Sequence, residues 1–220
     1  MVRAGGAPGL FITFEGIDGC GKSTQARRLA ATLEWQGHPV TLTREPGGAP
    51  GAEEIRRLLV EGPPARWSPE TELLLFTAAR RDHLERTIRP ALEAGRVVIC
   101  DRFADSTRVY QGAARADLRA LVDRLHDLTI GVEPDLTLVL DIDAGTARDR
   151  AHARAQAGAG AEDRFEAFGA GFQARLRAGF RALAAEFPDR VRLVDASGEA
   201  DALAARIAAL VAPLLPDRPA

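Results

Sequence analysis

The chain has 220 residues, a length that suits one domain with a sizeable core. Its formal net charge is −2. This near balance of charges excludes a broad positive field that would attract nucleic acid or an anionic membrane. Its two cysteines, Cys20 and Cys100, argue against a disulfide framework and predict a reducing, cytoplasmic location. Residues 1–9 lack the apolar core of a signal peptide and are predicted to be flexible. No apolar run approaches the roughly 20 residues of a membrane span.

The most informative segment lies near the start of the chain, where a β-prone run over Leu10–Glu15 leads into G-x-x-x-x-G-K-S at 16–23. A helix is predicted from Lys22 to Gln36, with Gly37 as its C-terminal cap. Strand, glycine-rich loop and helix in this order indicate a phosphate-binding loop rather than a plain turn with a surface lysine. The residues expected to bind ATP are Gly16, Ile17, Asp18, Gly19, Cys20, Gly21, Lys22, Ser23 and Thr24.

The chemistry expected of this loop follows from its residue types. Backbone N–H groups and the helix N-terminus favour an anion. Lys22 reaches the outer phosphates, and the Ser23 hydroxyl is a ligand for Mg²⁺. Cys20 has two interpretations: a thiol activated by the helix N-terminus, or, favoured here, a small residue that fills space.

Helices and strands are predicted to alternate through the rest of the chain, which indicates an α/β fold with a mainly parallel sheet. Ser68 is expected to cap its helix, and Pro90 to kink or restart it. The predicted strands are Val40–Thr43, Val97–Cys100, Leu136–Leu140 and Val191–Val194. The predicted helices are Glu53–Val60, Pro69 through His83, Leu118–Thr129, one starting near Thr146, one with an apolar stripe from Phe165 to Phe187, and Ala200–Val211. Loops or tails are predicted for 44–48, for 155–161 (mobile) and from Pro213 onward.

Ligands of an open α/β sheet bind beyond the carboxyl ends of its strands, so the residues that follow the strands are site candidates. Asp101 is expected to hold Mg²⁺, or to cap a helix. Arg102 is expected to bind a second phosphate group, or to pair with an acid. Arg44 has the same two interpretations, with the ion pair favoured. Glu45 contacts substrate or metal, or shapes its turn; the sequence does not rank these roles.

A second group of candidates lies on two helices. Phe76 and Arg80 share a helix face. Together they suit a nucleobase that stacks on the ring and offers a carbonyl to the guanidinium. The default interpretation is that Phe76 lies in the core and Arg80 at its rim. His83 is expected to be an ordinary surface residue. The arginines that flank the mobile stretch suit a lid that closes over a phosphoryl group, or form a solvated basic face; they are Arg148, Arg150, Arg154 and Arg164.

These segments together resemble the bacterial type of the thymidylate kinase family, which belongs to the P-loop nucleoside monophosphate kinases. The matching motifs are EGIDGCGKST at 15–24, TREPGG at 43–48, Phe76 with Arg80, DRF at 101–103, Ser106 through Tyr110-Gln111-Gly112, and DRF at 163–165. The resemblance runs from about Leu10 to Leu210. It implies one three-layer P-loop NTPase domain over 1–220, with a central five-stranded parallel sheet flanked by helices, a mobile lid at about 148–164 and a flexible tail at 213–220.

The resemblance also implies a site. Phe76 stacks on thymine, Arg80 bonds its carbonyl, Arg102 holds the nucleotide phosphate, Tyr110 excludes a 2′-hydroxyl, and Asp18 approaches the 3′-hydroxyl. The substrate-binding set so implied is Asp18, Arg44, Phe76, Arg80, Arg102, Ser106, Tyr110 and Gln111. The catalytic set is Lys22, Arg102, Arg150 and Arg154, and the metal ligands are Ser23 and Asp101. The turn at 195–198 falls where such enzymes hold adenine, and the family is usually homodimeric.

The implied reaction is phosphoryl transfer from ATP to dTMP, giving ADP and dTDP for dTTP synthesis. A phosphate acceptor is mostly dianionic near neutral pH, because its second pKa is about 6, so positioning and charge neutralisation suffice without a general base. Two alternatives stay open. A deoxynucleoside kinase acting on thymidine needs a carboxylate base, for which Glu45 is placed. A regulatory P-loop protein would bind nucleotide without an acceptor. In each case the partners are small nucleotides, not nucleic acid or membrane.

Overall fold

The computed structural model describes residues 9–63, 65–115, 117–156 and 170–215. Within these ranges five strands form one parallel sheet in the order β2-β3-β1-β4-β5. The strands are β1 (Leu10–Glu15), β2 (Val40–Arg44), β3 (Val97–Asp101), β4 (Leu136–Asp141) and β5 (Val191–Asp195). The predicted α/β fold with a parallel sheet is therefore confirmed, and each predicted strand lies where a strand is found.

Helices connect these strands. They are α1 (Lys22–Trp35), α2 (Pro50–Val60), α3 (Pro69–His83), α4 (Arg89–Glu93), α5 (Ala104–Val109), α6 (Arg119–Thr129), α7 (Ala144–Gln156), α8 (Ala170–Glu186) and α9 (Ala200–Val211). Turns of π-helix cover Leu84–Ile88 and Tyr110–Arg115, and a 3₁₀ turn covers Ala212–Leu214. Each helix in the described ranges is too short or too polar to serve as a membrane span.

The sheet is covered on both faces, because successive side chains of a strand point to opposite sides. Ile12 and Phe14 of β1 pack in a core shared with α1, α8 and α9. Phe11, between them, packs instead with Leu84, Ile88 and other residues on the opposite side. Two cores on either face of one sheet give the three-layer architecture, and its order places the ends of β1, β3 and β2 side by side.

Several local predictions are confirmed. The Ser68 hydroxyl caps α3 by accepting from Thr71 N at 3.1 Å. The helical path is restarted close to Pro90, where α4 follows the π turn. The apolar stripe of α8 is buried through Phe172, Leu176, Phe180 and Leu183. The predicted members Phe165 and Phe168 lie outside the described residues, as does the predicted flexible segment 1–8.

Other local predictions are wrong. The stretch between β3 and α6, for which no element was predicted, holds α5 and a π turn. Residues 155 and 156 belong to α7 rather than to a loop; the rest of that stretch, 157–161, lies outside the described residues. Pro213 is not part of a frayed tail, because it lies in the 3₁₀ turn and Leu215 beyond it packs against the core. Two helices begin earlier than expected, at Pro50 and Ala144.

Candidate active site

The phosphate loop is held tightly between β1 and α1. Gly16 has φ of +133°, and an added Cβ would lie 2.7 Å from the Leu140 carbonyl oxygen. Gly19 has φ of +80°, and its Cβ would lie 1.9 Å from the Ala147 carbonyl oxygen. A side chain at either position would collide with backbone of β4 or α7, so the glycines let the loop wrap against the sheet edge.

Lys22 folds back over this loop. Its Nζ donates to the carbonyl oxygens of Gly16 at 3.1 Å and Ile17 at 2.9 Å, and it lies 3.8 Å from the Asp18 carboxylate. The side chain is only 7% exposed. The ammonium group therefore sits at the centre of the loop, where a phosphate oxygen could replace the carbonyl contacts.

The two predicted metal ligands meet at the mouth of the loop. The Ser23 hydroxyl, in the first turn of α1, donates to Oδ2 of Asp101, the last residue of β3. A hydroxyl and a carboxylate oxygen suit Mg²⁺, which takes one or two protein oxygens and completes its shell with water and phosphate. In the described ranges no group of three or more His, Cys, Asp or Glu side chains could hold a metal.

Arg102 links the loop to the neighbouring cavity. Its backbone has φ of 72°, unlike every other non-glycine residue of the described ranges. One Nη donates to Gly16 O at 3.2 Å and Ser106 Oγ at 3.1 Å. The other Nη contacts Asp18 and lies 3.3 Å from the Tyr110 hydroxyl. The left-handed backbone therefore turns this guanidinium back from the end of β3 toward the phosphate loop.

Asp18 occupies the space between the two cations. Burial opposes its charge, but Arg102 and then Lys22 lower the pKa of its carboxyl below the usual value. Burial also opposes the charge of Arg102, whose pKa is nevertheless raised well above its usual value by Tyr110 and by nearby carboxylates, Asp18 among them. An ionised carboxylate thus lies between Lys22 and Arg102.

A cavity that is open to solvent adjoins this cluster. It is lined by seven of the eight predicted substrate-binding residues, namely Asp18, Phe76, Arg80, Arg102, Ser106, Tyr110 and Gln111. Arg44 does not line it. Its guanidinium instead forms two hydrogen bonds with Glu53, at 3.0 and 3.1 Å, which is the ion pair that the sequence favoured.

The burial of Arg80 and Phe76 on α3 is the reverse of the default expectation, which placed Phe76 in the core and Arg80 at the rim. Arg80 is buried, and Phe76 is only partly buried at the cavity wall. Arg80 Nε donates to Glu45 at 2.8 Å, and Nη2 donates to Phe103 O at 3.2 Å and Thr107 Oγ1 at 2.9 Å. A guanidinium held at these points is fixed in position, and Glu45 is engaged in holding it.

His83 is not the surface residue that was predicted. It is fully buried, with Nδ1 3.0 Å from Glu45 and Nε2 2.7 Å from Thr43 Oγ1. The expectation failed because its partners come from the end of β2, far away in the sequence. His83 therefore supports Glu45, which in turn supports Arg80.

Glu15 is a site-supporting residue that sequence reasoning did not single out. Its carboxylate accepts from the backbone N–H groups of Phe103 at 2.8 Å and Ser106 at 3.2 Å, and from the Ser106 hydroxyl. It thereby caps α5, whose first residues have no cap of their own. Burial, and then the charge of Asp105, raises the pKa of Glu15 to about 7. Its position at the end of β1 was the available signal.

The predicted lid arginines are only partly described. Arg150 Nη1 donates to Ala196 O at 3.0 Å, in the turn expected to hold adenine. Arg148 is exposed and 4.0 Å from Asp149. The side chain of Arg154, and the whole of Arg164, lie outside the described residues.

Cys20 does not have the surroundings of a reactive thiol. It is completely buried, and its Sγ would lie 2.9 Å from a Cβ added at Gly16. Burial raises the pKa of the thiol in spite of the nearby Lys22 and Arg102. These observations agree with the space-filling interpretation and oppose the lowered pKa that redox activation requires.

Comparisons with known proteins agree with the geometry. The family model described as thymidylate kinase matches residues 14–207. The thymidylate kinase of Ruegeria pomeroyi is 65% identical over 203 residues, covering 92% of this chain and 94% of the relative. That of Dinoroseobacter shibae is 66% identical over 188 residues, covering 86% and 89%. The crystal structure of thymidylate kinase from Ehrlichia chaffeensis superposes with a TM-score of 0.75 at 34% identity, covering 92% of this chain and 98% of that one. The chain belongs to the thymidylate kinase family.

Proposed function

We propose that this chain transfers the γ-phosphoryl group of ATP to dTMP, giving ADP and dTDP for dTTP synthesis. The observation that carries the proposal is the position of Arg102. Its guanidinium contacts Gly16 and Asp18 of the phosphate loop and also Ser106 and Tyr110 of the cavity wall. One cation at this junction serves both a donor triphosphate and an acceptor monophosphate.

The mechanism follows from the charges that meet there. The acceptor phosphate is already mostly dianionic near neutral pH, so no base is needed. Lys22 and Arg102 bind phosphate oxygens and hold the two nucleotides in line, and their charge stabilises the transferring group. In this step both cations exchange Asp18 for phosphate, which frees Asp18 for the sugar 3′-hydroxyl.

Mg²⁺ belongs to the proposal because the donor set fits it. Ser23 and Asp101 would hold the ion, directly or through water, and it would supply positive charge that offsets the charge of the phosphates. Arg150 and Arg154 complete the proposed catalytic set as lid residues. Support for Arg150 comes from its bond to the turn at 195–198, where adenine is expected.

A homodimer in the cytoplasm is also proposed. Exposed leucines lie on α2, α3 and α6: they are Leu58, Leu74, Leu121 and Leu128, which are 39%, 57%, 40% and 78% exposed. Since α2 packs on α3 and α3 on α6, these side chains suit an apolar contact with a second copy.

Both cysteines are free and buried, which agrees with a reducing compartment. The proposed homodimer is tested by light scattering. The molar mass of the wild type in solution should equal that of two chains, and the Leu74→Glu variant should have half that mass.

The test is an acceptor panel with ATP and Mg²⁺, offering thymidine and each nucleoside monophosphate separately and following ADP release. The expected result is turnover with dTMP and none with thymidine, because Glu45 lines the cavity but both of its carboxylate oxygens are engaged, one by Arg80 and one by His83. Turnover with thymidine but not dTMP would establish the nucleoside kinase instead. Tight nucleotide binding with no acceptor turnover would establish a regulatory protein.

A further inference from the structure

A second buried carboxylate lies behind the cavity. Glu72 is on α3, four residues before Phe76 and eight before Arg80, so the three side chains share one face of the helix. Glu72 is completely buried, and its Oε1 accepts from Gln111 Nε2 at 2.8 Å. Gln111 lines the cavity whereas Glu72 does not, so Glu72 contacts the amide from behind.

This contact fixes which end of the Gln111 amide faces the cavity. An amide has a donor end, the NH₂ group, and an acceptor end, the carbonyl oxygen. A carboxylate oxygen accepts hydrogen bonds, so it attracts the NH₂ group and repels the carbonyl oxygen. With Nε2 held by Glu72, Oε1 is directed away from Glu72 and toward the cavity as an acceptor.

Arg80 supplies the complementary donor on the same wall. Its Nε and Nη2 are engaged by Glu45, Phe103 and Thr107. Among the described residues Nη1 has no hydrogen-bond partner, and Arg80 lines the cavity. Arg80 Nη1 thus gives this cavity a fixed donor, and Gln111 Oε1 gives it a fixed acceptor.

This pattern matches one class of pyrimidine and opposes the other. Thymine and uracil offer an O4 acceptor beside an N3–H donor, whereas cytosine offers an N4 amino donor beside an N3 acceptor. Cytosine would therefore set donor against donor and acceptor against acceptor, leaving buried polar groups unpaired, which costs about 1–3 kcal/mol for each.

We propose that Glu72 is the positioning residue that selects 4-oxo pyrimidines over cytosine, by holding the Gln111 amide with its oxygen toward the base. The inference rests on the proposed function. It identifies the contact between Glu72 and Gln111 as the feature that gives the site its base preference. Glu72 itself does not contact the substrate.

The first test is Glu72→Gln, which keeps the shape but lets the two amides pair in either orientation. Gln111 can then turn its NH₂ group to the cytosine N3. We expect kcat/KM for dCMP to rise by roughly tenfold relative to dTMP, since one mispaired hydrogen bond is relieved. Where dCMP turnover is too low to measure, its inhibition constant against dTMP serves instead. The matched control is Glu70→Gln, an exposed position on the same helix, which should leave the ratio unchanged.

The outcomes separate two kinds of failure. If the wild type does not phosphorylate dTMP, the proposed function fails. If the wild type converts dTMP but Glu72→Gln lowers dTMP and dCMP efficiency equally, the carboxylate is only structural and the inference is overturned.

A second test needs no variant and so does not depend on folding of the substituted chain. In N3-methyl-dUMP a methyl group replaces the N3 proton while both carbonyl groups are kept, so the analogue lacks the donor whose hydrogen bond Gln111 Oε1 should accept. Wild-type kcat/KM should be at least roughly tenfold lower for N3-methyl-dUMP than for dUMP. Equal values would show that Gln111 does not present its oxygen to the base.

Discussion

Two buried arginines, Arg102 just before α5 and Arg108 within it, differ in the groups that surround them. Arg108 is 4% exposed and is enclosed by carboxylates, with Nε 2.9 Å from Asp123, Nη1 2.8 Å from Asp105 and Nη2 2.5 Å from Glu133. Arg102 faces one such carboxylate, two hydroxyl groups and a backbone carbonyl, and it lines an open cavity.

The difference separates a structural cation from a binding one. The partners of Arg108 are fixed acids: Arg190 and Arg108 lower the pKa of Asp105 against the effect of burial, and His126 and Arg108 lower that of Glu133. The partners of Arg102 are hydroxyls that rotate and an aspartate that a phosphate can replace. An arginine enclosed by matched charge stabilises the fold, whereas one with replaceable partners beside a cavity binds an anion.

The largest effect is expected on stability, from Arg108→Ala. It would leave Asp105 and Glu133 buried with less compensation, and removing one partner of a buried ion pair costs about 3–5 kcal/mol. Urea unfolding measures the loss, and activity of the folded fraction should be retained. The control is Arg119→Ala, whose pairs with Asp123 and Glu186 are partly exposed and should contribute under about 1 kcal/mol. Similar losses in both variants would remove the distinction.

Lys22→Ala should have the converse effect, on activity rather than stability. Removing one preorganised cation or donor from a transition state typically costs on the order of 10²–10³-fold in kcat. A coupled assay of ADP release with dTMP gives the rate, and thermal unfolding should show a native-like transition. Arg28→Ala, on the same helix but paired on the surface with Asp201, should keep full activity. Near-normal turnover of Lys22→Ala would reject the site.

Glu15→Gln should change the pH dependence of folding. Burial raises the pKa of Glu15 from its ordinary value of 4.5 to about 7, so between these values the folded chain holds a proton that the unfolded chain releases. Stability is therefore lost as pH rises through this window, by on the order of 3 kcal/mol. Glutamine does not titrate, so the variant should lack this decline.

Urea midpoints from about pH 4.5 to about pH 7.5 measure the effect of Glu15. The carboxyls with lowered pKa, such as Asp105 and Asp18, act at lower pH and with the opposite sign, because their stabilisation is lost as pH falls. An identical decline in Glu15→Gln and wild type would contradict the assignment to Glu15.

The smallest effect is expected at Cys20. Because its thiol is buried and its pKa is raised, wild type and Cys20→Ala should lose activity at equal rates in dilute hydrogen peroxide. Selective protection of Cys20→Ala would restore the redox interpretation.

The parts that were predictable from the sequence depend on local patterns. The glycine loop, the apolar strands, the Ser68 cap and the stripe on α8 each follow from neighbouring residues, and the ends of β1 and β3 lead directly to Lys22 and Arg102. Seven of the eight substrate-binding residues implied by the family resemblance line the cavity.

The parts that were missed depend on partners distant in sequence. The helix α5 begins with no cap of its own, and the carboxylate that caps it comes from Glu15, 88 residues before Phe103. The partners of His83, which are Glu45 and Thr43, come from another element, so its position in the sequence alone predicts a surface residue. The sequence identifies Glu72 only as an acidic residue in the first turn of a helix. Its contact with Gln111, which is 39 residues away, is visible only in the structure.

The most direct measurement is a crystal structure with dTMP and an unreactive ATP analogue bound together. The expected result places the pyrimidine against Phe76 and Arg80, the triphosphate in the loop around Lys22, and the acceptor phosphate on Arg102 with Asp18 displaced from it. A pyrimidine bound away from this cavity, or an Arg102 that still pairs with Asp18 while both nucleotides are present, would contradict it.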